Sequence, residues 1–155
     1  MPLRKQKLVI FLHSFAGGGA ETFLVDLANC LETRGYSVDL LVANSKGPLV
    51  SRVSEKITVV ELHAGSTIRS VPAIRKYLRQ NNPHAILSSV VHANIAVAVA
   101  HLLARVKTRL ILREANREHK IRPDLGFAVN SYLRVMSVLM YRRAQVIVSL
   151  SLIHI

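Results

Sequence analysis

The chain has 155 residues, half of them hydrophobic, with 21 Lys and Arg against nine Asp and Glu for a formal charge of +12. That length suits a single domain with its own core, and the composition excludes a disordered chain. The basic excess favours an anionic partner, such as lipid headgroups, a sugar nucleotide or nucleic acid, and is silent about fold.

Lys7–His13 reads as a first strand buried on both faces. Three glycines follow, Gly17–Gly19, and then Ala20, Phe23, Leu24, Leu27, Ala28 and Leu31 recur at helical spacing. Gly35 ends this first helix as a C′ residue would. Cys30, the only cysteine, lies within it and reads as a buried, inert thiol. "SVDLLVA" gives a second strand and "ITVVELH" a third, with a Gly47–Pro48 turn between them. Val71, Ile74 and Leu78 form a second helical face, with Arg69, Arg75, Lys76 and Arg79 pointing outward. Asn82–Pro83 stops that helix before "HAILSSV", a fourth strand. "HANIAVAVAHLLARV" is apolar nearly all round, as a packed helix would be. "TRLILRE" is a fifth strand and is followed by a charged loop from Ala115 to Asp124. Asn130, Arg134, Ser137 and Tyr141 form a polar stripe on a last helix, and "QVIVSL" is a sixth strand.

Strands alternating with helices imply an α/β fold with a parallel sheet wound on both faces. Right-handed crossovers give the doubly wound order 3-2-1-4-5-6, with a crevice at the carboxyl ends of strands 1 and 4. Residues 1–155 read as one Rossmann-like domain. After the sixth strand only "SLIHI" remains, so the expectation is half of a larger architecture. No stretch approaches the roughly 20 apolar residues of a spanning helix. The basic start before Leu8–Leu12 lacks the h-region and cleavage site of a signal peptide. With a lone cysteine as well, the expected location is cytoplasmic, with contact to the inner face of a membrane.

The glycine corner opens a helix beside the expected crevice. A helix N-terminus offers unpaired N–H groups and about half a positive charge, so an anion is favoured there. A tight turn or close packing explains the same glycines equally well. A dinucleotide fingerprint starting at Gly17 would need a small residue where Thr22 stands, and an acid at the end of strand 2, where Ala43–Asn44 stand. Asp39 lies too early for that role, and a P-loop's Gly-Lys-Ser/Thr is absent. No organic cofactor is therefore expected. The histidines and Cys30 show no metal-ligand spacing.

Three segments, "HSFAGGGAETFLVDLANCLETRGYSVDLLVA", "NPHAILSSVVHANIAVAVAHLLA" and "RLILREAN", fall in order on this pattern. Together they resemble the N-terminal, acceptor-side domain of GT-B glycosyltransferases of the large retaining group called family 4, over residues 7 to 150. The resemblance implies transfer of a sugar from a nucleotide-sugar donor to a glycan or lipid-linked acceptor. It also implies a C-terminal donor-binding domain, absent from this sequence, so the chain alone is expected to be inactive. Gly18 and Gly19 would present backbone N–H groups to the donor's distal phosphate, with Glu21 matching the motif's acid. Glu21 also fits a simpler role, complementing the helix dipole. His92 would touch the donor sugar as the catalytic residue, or else only cap the third helix. Asn94 belongs to the same motif. Arg113, Glu114 and Asn116 match a Glu-Arg-Asn-like stretch with the first two types exchanged.

Arg113 with Arg117, Lys120 and Arg122 could clamp phosphate, or these side chains could simply be solvated. A basic module that binds an anionic membrane or a protein partner without catalysis is the alternative reading. Nucleic acid is disfavoured, because four Phe, four Tyr and no Trp make a poor stacking platform.

Overall fold

The computed structural model describes residues 6–114 and 146–149. The last expected helix, the charged loop with Asn116, Arg117, Lys120 and Arg122, and the basic Arg134, Arg142 and Arg143 lie outside the described residues. Elements follow one another as β1 (Lys7–Leu12), α1 (Gly19–Thr33), β2 (Ser37–Val42), β3 (Thr58–Glu61), α2 (Val71–Asn81), β4 (Ala85–Ser89), α3 (Val91–Ala104), β5 (Arg109–Glu114) and β6 (Val146–Ser149). Every pairing is parallel and the sheet order is β3-β2-β1-β4-β5-β6. The expected doubly wound order is the observed one.

Period-two alternation in β1 divides the core. Val9 and Phe11 face a cluster built with Ile74, Leu78, Val97 and Leu110, so α2 and α3 cover one side. Ile10 and Leu12 face Leu24, Val25 and Ala28, so α1 covers the other. Both faces of β1 are therefore buried, which explains its unbroken apolar run. α1 presents a narrower buried stripe than its spacing suggested. Phe23 is 40% exposed and Cys30 is exposed, while Val25 is fully buried. Cys30 is thus a surface thiol, because it sits on the flank of the helix that the sheet does not reach.

Helix ends follow their local signals. Gly35, at φ +90°, closes α1 as Tyr36 N–H donates to Leu31 O and Gly35 N–H to Glu32 O, the paired bonds of a Schellman motif. Asn82 takes the left-handed conformation after α2, and Pro83 prevents its continuation. Two short 3-10 turns, Pro48–Arg52 and Ile68–Ser70, were not legible in the sequence. Among the described residues no helix is long and apolar enough to cross a membrane.

One buried polar cluster braces the amino-terminal end of the sheet. Lys7 Nζ donates to Asp39 Oδ2 at 2.9 Å, and the Tyr77 hydroxyl donates to the same oxygen. Asp39 is buried, so its charge is matched within the fold and the residue is structural. Burial and the adjacent carboxylate push the Tyr77 phenol well above its ordinary value of 10.0. A raised folded pKa means that this contribution is complete below the ordinary value and declines as pH rises beyond it.

The advantage of the wild type over Tyr77→Phe, about 1 kcal/mol near neutrality, should narrow when urea denaturation is repeated above pH 10. Gly47, at φ +138°, lies against the Phe15 carbonyl and 2.7 Å from Ala16 N as measured from an added Cβ. Gly47→Ala should therefore cost about 3 kcal/mol in the same assay, and an unchanged midpoint would contradict this packing.

Candidate functional site

A cleft of about 450 Å³ opens at the carboxyl ends of β1 and β4. Its floor is Phe11 and Leu12. His13 comes from the end of β1, Ala20, Glu21 and Leu24 from α1, and Ser89, Val90, His92 and Ala93 from the β4–α3 junction. The loop after β3 supplies Ser66, Thr67 and Ile68. This is where the winding direction of the sheet reverses, so α1 and α3 diverge on opposite faces.

The three glycines have three different environments. Gly17 has φ +97°, a left-handed conformation that a side chain would strain, and a Cβ added there would lie 3.6 Å from Pro48 Cγ. Gly18 is the N-cap of α1 with ordinary extended angles, and an added methyl would overlap only the Glu21 carboxylate, folded back over it. Gly19 is exposed and nothing would lie within 4 Å of an added Cβ. Geometry therefore demands glycine at position 17 and at no other of the three. Bare backbone at positions 18 and 19 leaves the first N–H groups of α1 open to solvent beside the cleft.

The corner is held from the far side. Phe15 N–H donates to Lys46 O, and Leu49 N–H to Phe15 O. The carrying loop is pinned in turn by Ser45, whose hydroxyl and amide donate to Glu61 and hold that carboxyl below its usual range. Gly47–Pro48 is thus a buttress for the glycine corner as well as a turn.

On the opposite wall, Val90 sits between β4 and α3 with φ +78°. A β-branched residue in that region costs on the order of 1–3 kcal/mol, and this strained residue lies in the cleft itself. His92 is exposed to the cleft one residue into α3. His13 Nδ1 lies 3.0 Å from Thr67 Oγ1, so the loop after β3 is tied to the end of β1.

Behind Ser89 runs a buried polar chain. Ser88 Oγ donates to Asn94 Oδ1 at 2.7 Å, Asn94 Nδ2 donates to Arg113 O at 3.0 Å, and Arg113 Nη1 donates to Ser89 Oγ at 3.1 Å. The Arg113 guanidinium stacks 4.0 Å above the Phe23 ring and is 8% exposed as a residue. Asn94 is buried and both ends of its amide are engaged by β4 and β5, so it ties α3 to the sheet. Of the residues singled out in the sequence, Glu21 and His92 line the cleft, Gly18 and Gly19 lie at its edge, and Asn94 and Arg113 stand behind its wall. Asn116 is outside the described residues. Thr67 and Ile68 carried no sequence signal, because the loop after β3 reaches the cleft only through the strand order, and Val90 carried none because its residue type gives no hint of a positive φ. Among the described residues no group of three or more His, Cys, Asp or Glu could hold a metal ion.

Truncating Asn94 to Ala would strand the Ser88 hydroxyl and the Arg113 carbonyl. Asn94→Ala is expected to lower stability by about 3 kcal/mol by urea denaturation, and a loss under about 0.5 kcal/mol would show that the chain of bonds is not formed.

A family model for glycosyl transferase 4-like domains matches residues 18–152. No curated protein sequence matches the chain. Among solved structures it is similar to sucrose-phosphate synthase from Thermosynechococcus elongatus, with a TM-score of 0.68 at 12% identity over 92% of this chain and 41% of that one. HepE from Anabaena, solved in complex with UDP, gives 0.61 at 20% identity over 92% and 36%. MurG from Acinetobacter baumannii gives 0.60 at 13% identity over 93% and 41%. The chain thus spans about two fifths of the length of these structures. Identities so low establish the shared fold alone, and the family match covers most of the sequence. The chain belongs to the glycosyl transferase 4-like domain family and has the Rossmann-like fold of the N-terminal half of GT-B glycosyltransferases.

Proposed function

We propose that these residues form one domain, the acceptor-side half of a retaining glycosyltransferase that uses a nucleotide-sugar donor. The observation that carries this reading is the cleft at the sheet's reversal point, with the open N-terminus of α1 on one wall and His92 on the other. The α1 N–H groups at Gly18 and Gly19 receive the donor's distal phosphate, where the helix dipole stabilises negative charge. His92 hydrogen-bonds the donor sugar and shares charge developing at its anomeric carbon. Among the described residues lining the cleft Glu21 is the one carboxylate. In the proposed transfer the donor's own leaving phosphate accepts the acceptor's proton, a route that needs no second carboxylate on this wall.

A second Rossmann-like domain completes the donor site, a glycan or lipid-linked acceptor enters the cleft, and no organic cofactor takes part. Arg113 supports the site from behind the wall by holding Ser89 and Phe23.

UDP-glucose, titrated into the isotope-labelled 155-residue chain, should shift the amide signals of Gly18, Gly19 and His92 without turnover. Gly19→Ala should stabilise the free chain by about 0.5 kcal/mol, because Ala suits a helix start better than Gly. The same change should weaken the titration about tenfold by crowding the phosphate. Unchanged binding by that variant would remove the phosphate role from the corner. Enzyme-like turnover by the chain alone would overturn the half-site reading.

A further inference from the structure

Charge is unevenly distributed along this chain. Residues 62–113 hold eight Lys and Arg and no Asp or Glu, whereas six of the nine acids precede position 62. Every ion pair among the described residues lies within positions 7–63. The basic side chains of α2, α3 and the start of β5 therefore have no acidic partner among the described residues.

Topology gathers many of them at one edge. Both α2 and α3 run antiparallel to the strands and pack side by side, so their C-termini meet at the amino-terminal end of the sheet. Hydrogen bonds join the turns that follow. Thr108 Oγ1 donates to Pro83 O at 2.8 Å, and Arg109 N–H donates to His84 O at 3.0 Å. Arg79, Arg105, Lys107 and Arg109 are all exposed along this edge. In the last turn of α3, Leu102 and Leu103 are 51% and 49% exposed. Two adjacent leucines left in water, amid cations with no acidic partner among the described residues, are an unusual outer surface for a helix whose other face is packed.

We propose that this edge is a docking surface for an anionic lipid bilayer. The cations draw the edge to the negatively charged headgroups, and Leu102 and Leu103 enter the headgroup–acyl boundary. The leucines favour a bilayer over nucleic acid. Tyr77, the only Phe, Tyr or Trp between positions 62 and 113, is buried and offers no base a stacking face. The edge lies at the opposite end of the strands from the cleft, so docking leaves the cleft open and does not depend on the donor reading.

The test is co-sedimentation of the full chain with phosphatidylcholine vesicles, with and without phosphatidylglycerol. Binding should require the anionic lipid and fall steeply as salt is raised. The pair Arg79→Gln and Lys107→Gln should lower partitioning roughly 25-fold, about fivefold for each charge removed. Replacing Leu102 and Leu103 by Ser should weaken binding in a way that low salt does not rescue. Lys56→Gln, on the acidic half near Glu32, removes one charge elsewhere and should change partitioning by less than about twofold. Equal losses from Lys56→Gln and from Lys107→Gln would mean that net charge alone acts, and would overturn the proposal. Tighter binding to a single-stranded oligonucleotide than to anionic vesicles at the same salt would also overturn it. Melting curves for each variant separate loss of binding from loss of fold.

Discussion

The whole site depends on β1 hydrogen-bonding to β2 on one side and to β4 on the other, always in parallel. Parallel neighbours are joined by crossovers. The chain moves outward from β1 to β2 and β3, then returns past β1 to β4 and β5, and right-handed crossovers in these two opposite directions put their helices on opposite faces. α1 accordingly packs on Ile10 and Leu12, while α2 and α3 pack on the side of Val9 and Phe11. The cleft is the space that this divergence leaves above the strand ends. It follows from strand order before any residue is chosen for chemistry, and the residues around its rim then decide what can enter.

Two buried polar clusters fix this arrangement more sharply than apolar packing does. The buried face of α3 is mostly alanine, and such apolar contact is non-directional, so by itself it leaves the helix free along its axis. The Asn94 amide removes that freedom, because each of its ends has one directed partner on a different strand. His92 rides on the same helical turn and inherits its position. At the other end of the sheet, Asp39 joins β2 to Lys7 of β1 and Tyr77 of α2. Among the described residues no buried side-chain nitrogen or oxygen lacks a partner, which is the condition under which such clusters specify a fold and do not weaken it.

The fold was legible because two-faced burial writes itself into continuous apolar runs, and right-handed crossovers leave few orders for six parallel strands. Within α1 the reading was less accurate. Spacing placed Phe23 in the core and Cys30 among buried residues, but a helix lying on one face of a sheet buries a stripe narrower than its apolar residues allow. Phe23 is occupied instead by Arg113, a partner ninety residues away that no local pattern can announce. The Asn94 and Arg113 contacts are long-range in the same sense. Val90 is different in kind: its strained φ arises from the demand that β4 turn at once into α3, and its residue type predicts the opposite conformation.

The electrostatics of the cleft follow from how Arg113 is buried. Its guanidinium has five N–H donors, yet among the described residues one acceptor, Ser89 Oγ, and one aromatic face, Phe23, meet it. A hydroxyl and a ring compensate a desolvated cation only in part, since the ring contributes about 1–2 kcal/mol. Among the described residues the guanidinium has no carboxylate partner, and its Nη1 is directed at the wall that Ser89 forms. The N-terminus of α1 adds about half a charge from the other side, and Glu21 opposes both with one carboxylate that has no ion-pair partner among the described residues. Because Glu21 folds back over Gly18, its charge falls on the corner and not on the cleft centre. The cleft wall at Ser89 and the first turn of α1 thus bring a guanidinium and a helix N-terminus to two sides of the same space, and the Glu21 carboxylate lies over Gly18 at its edge.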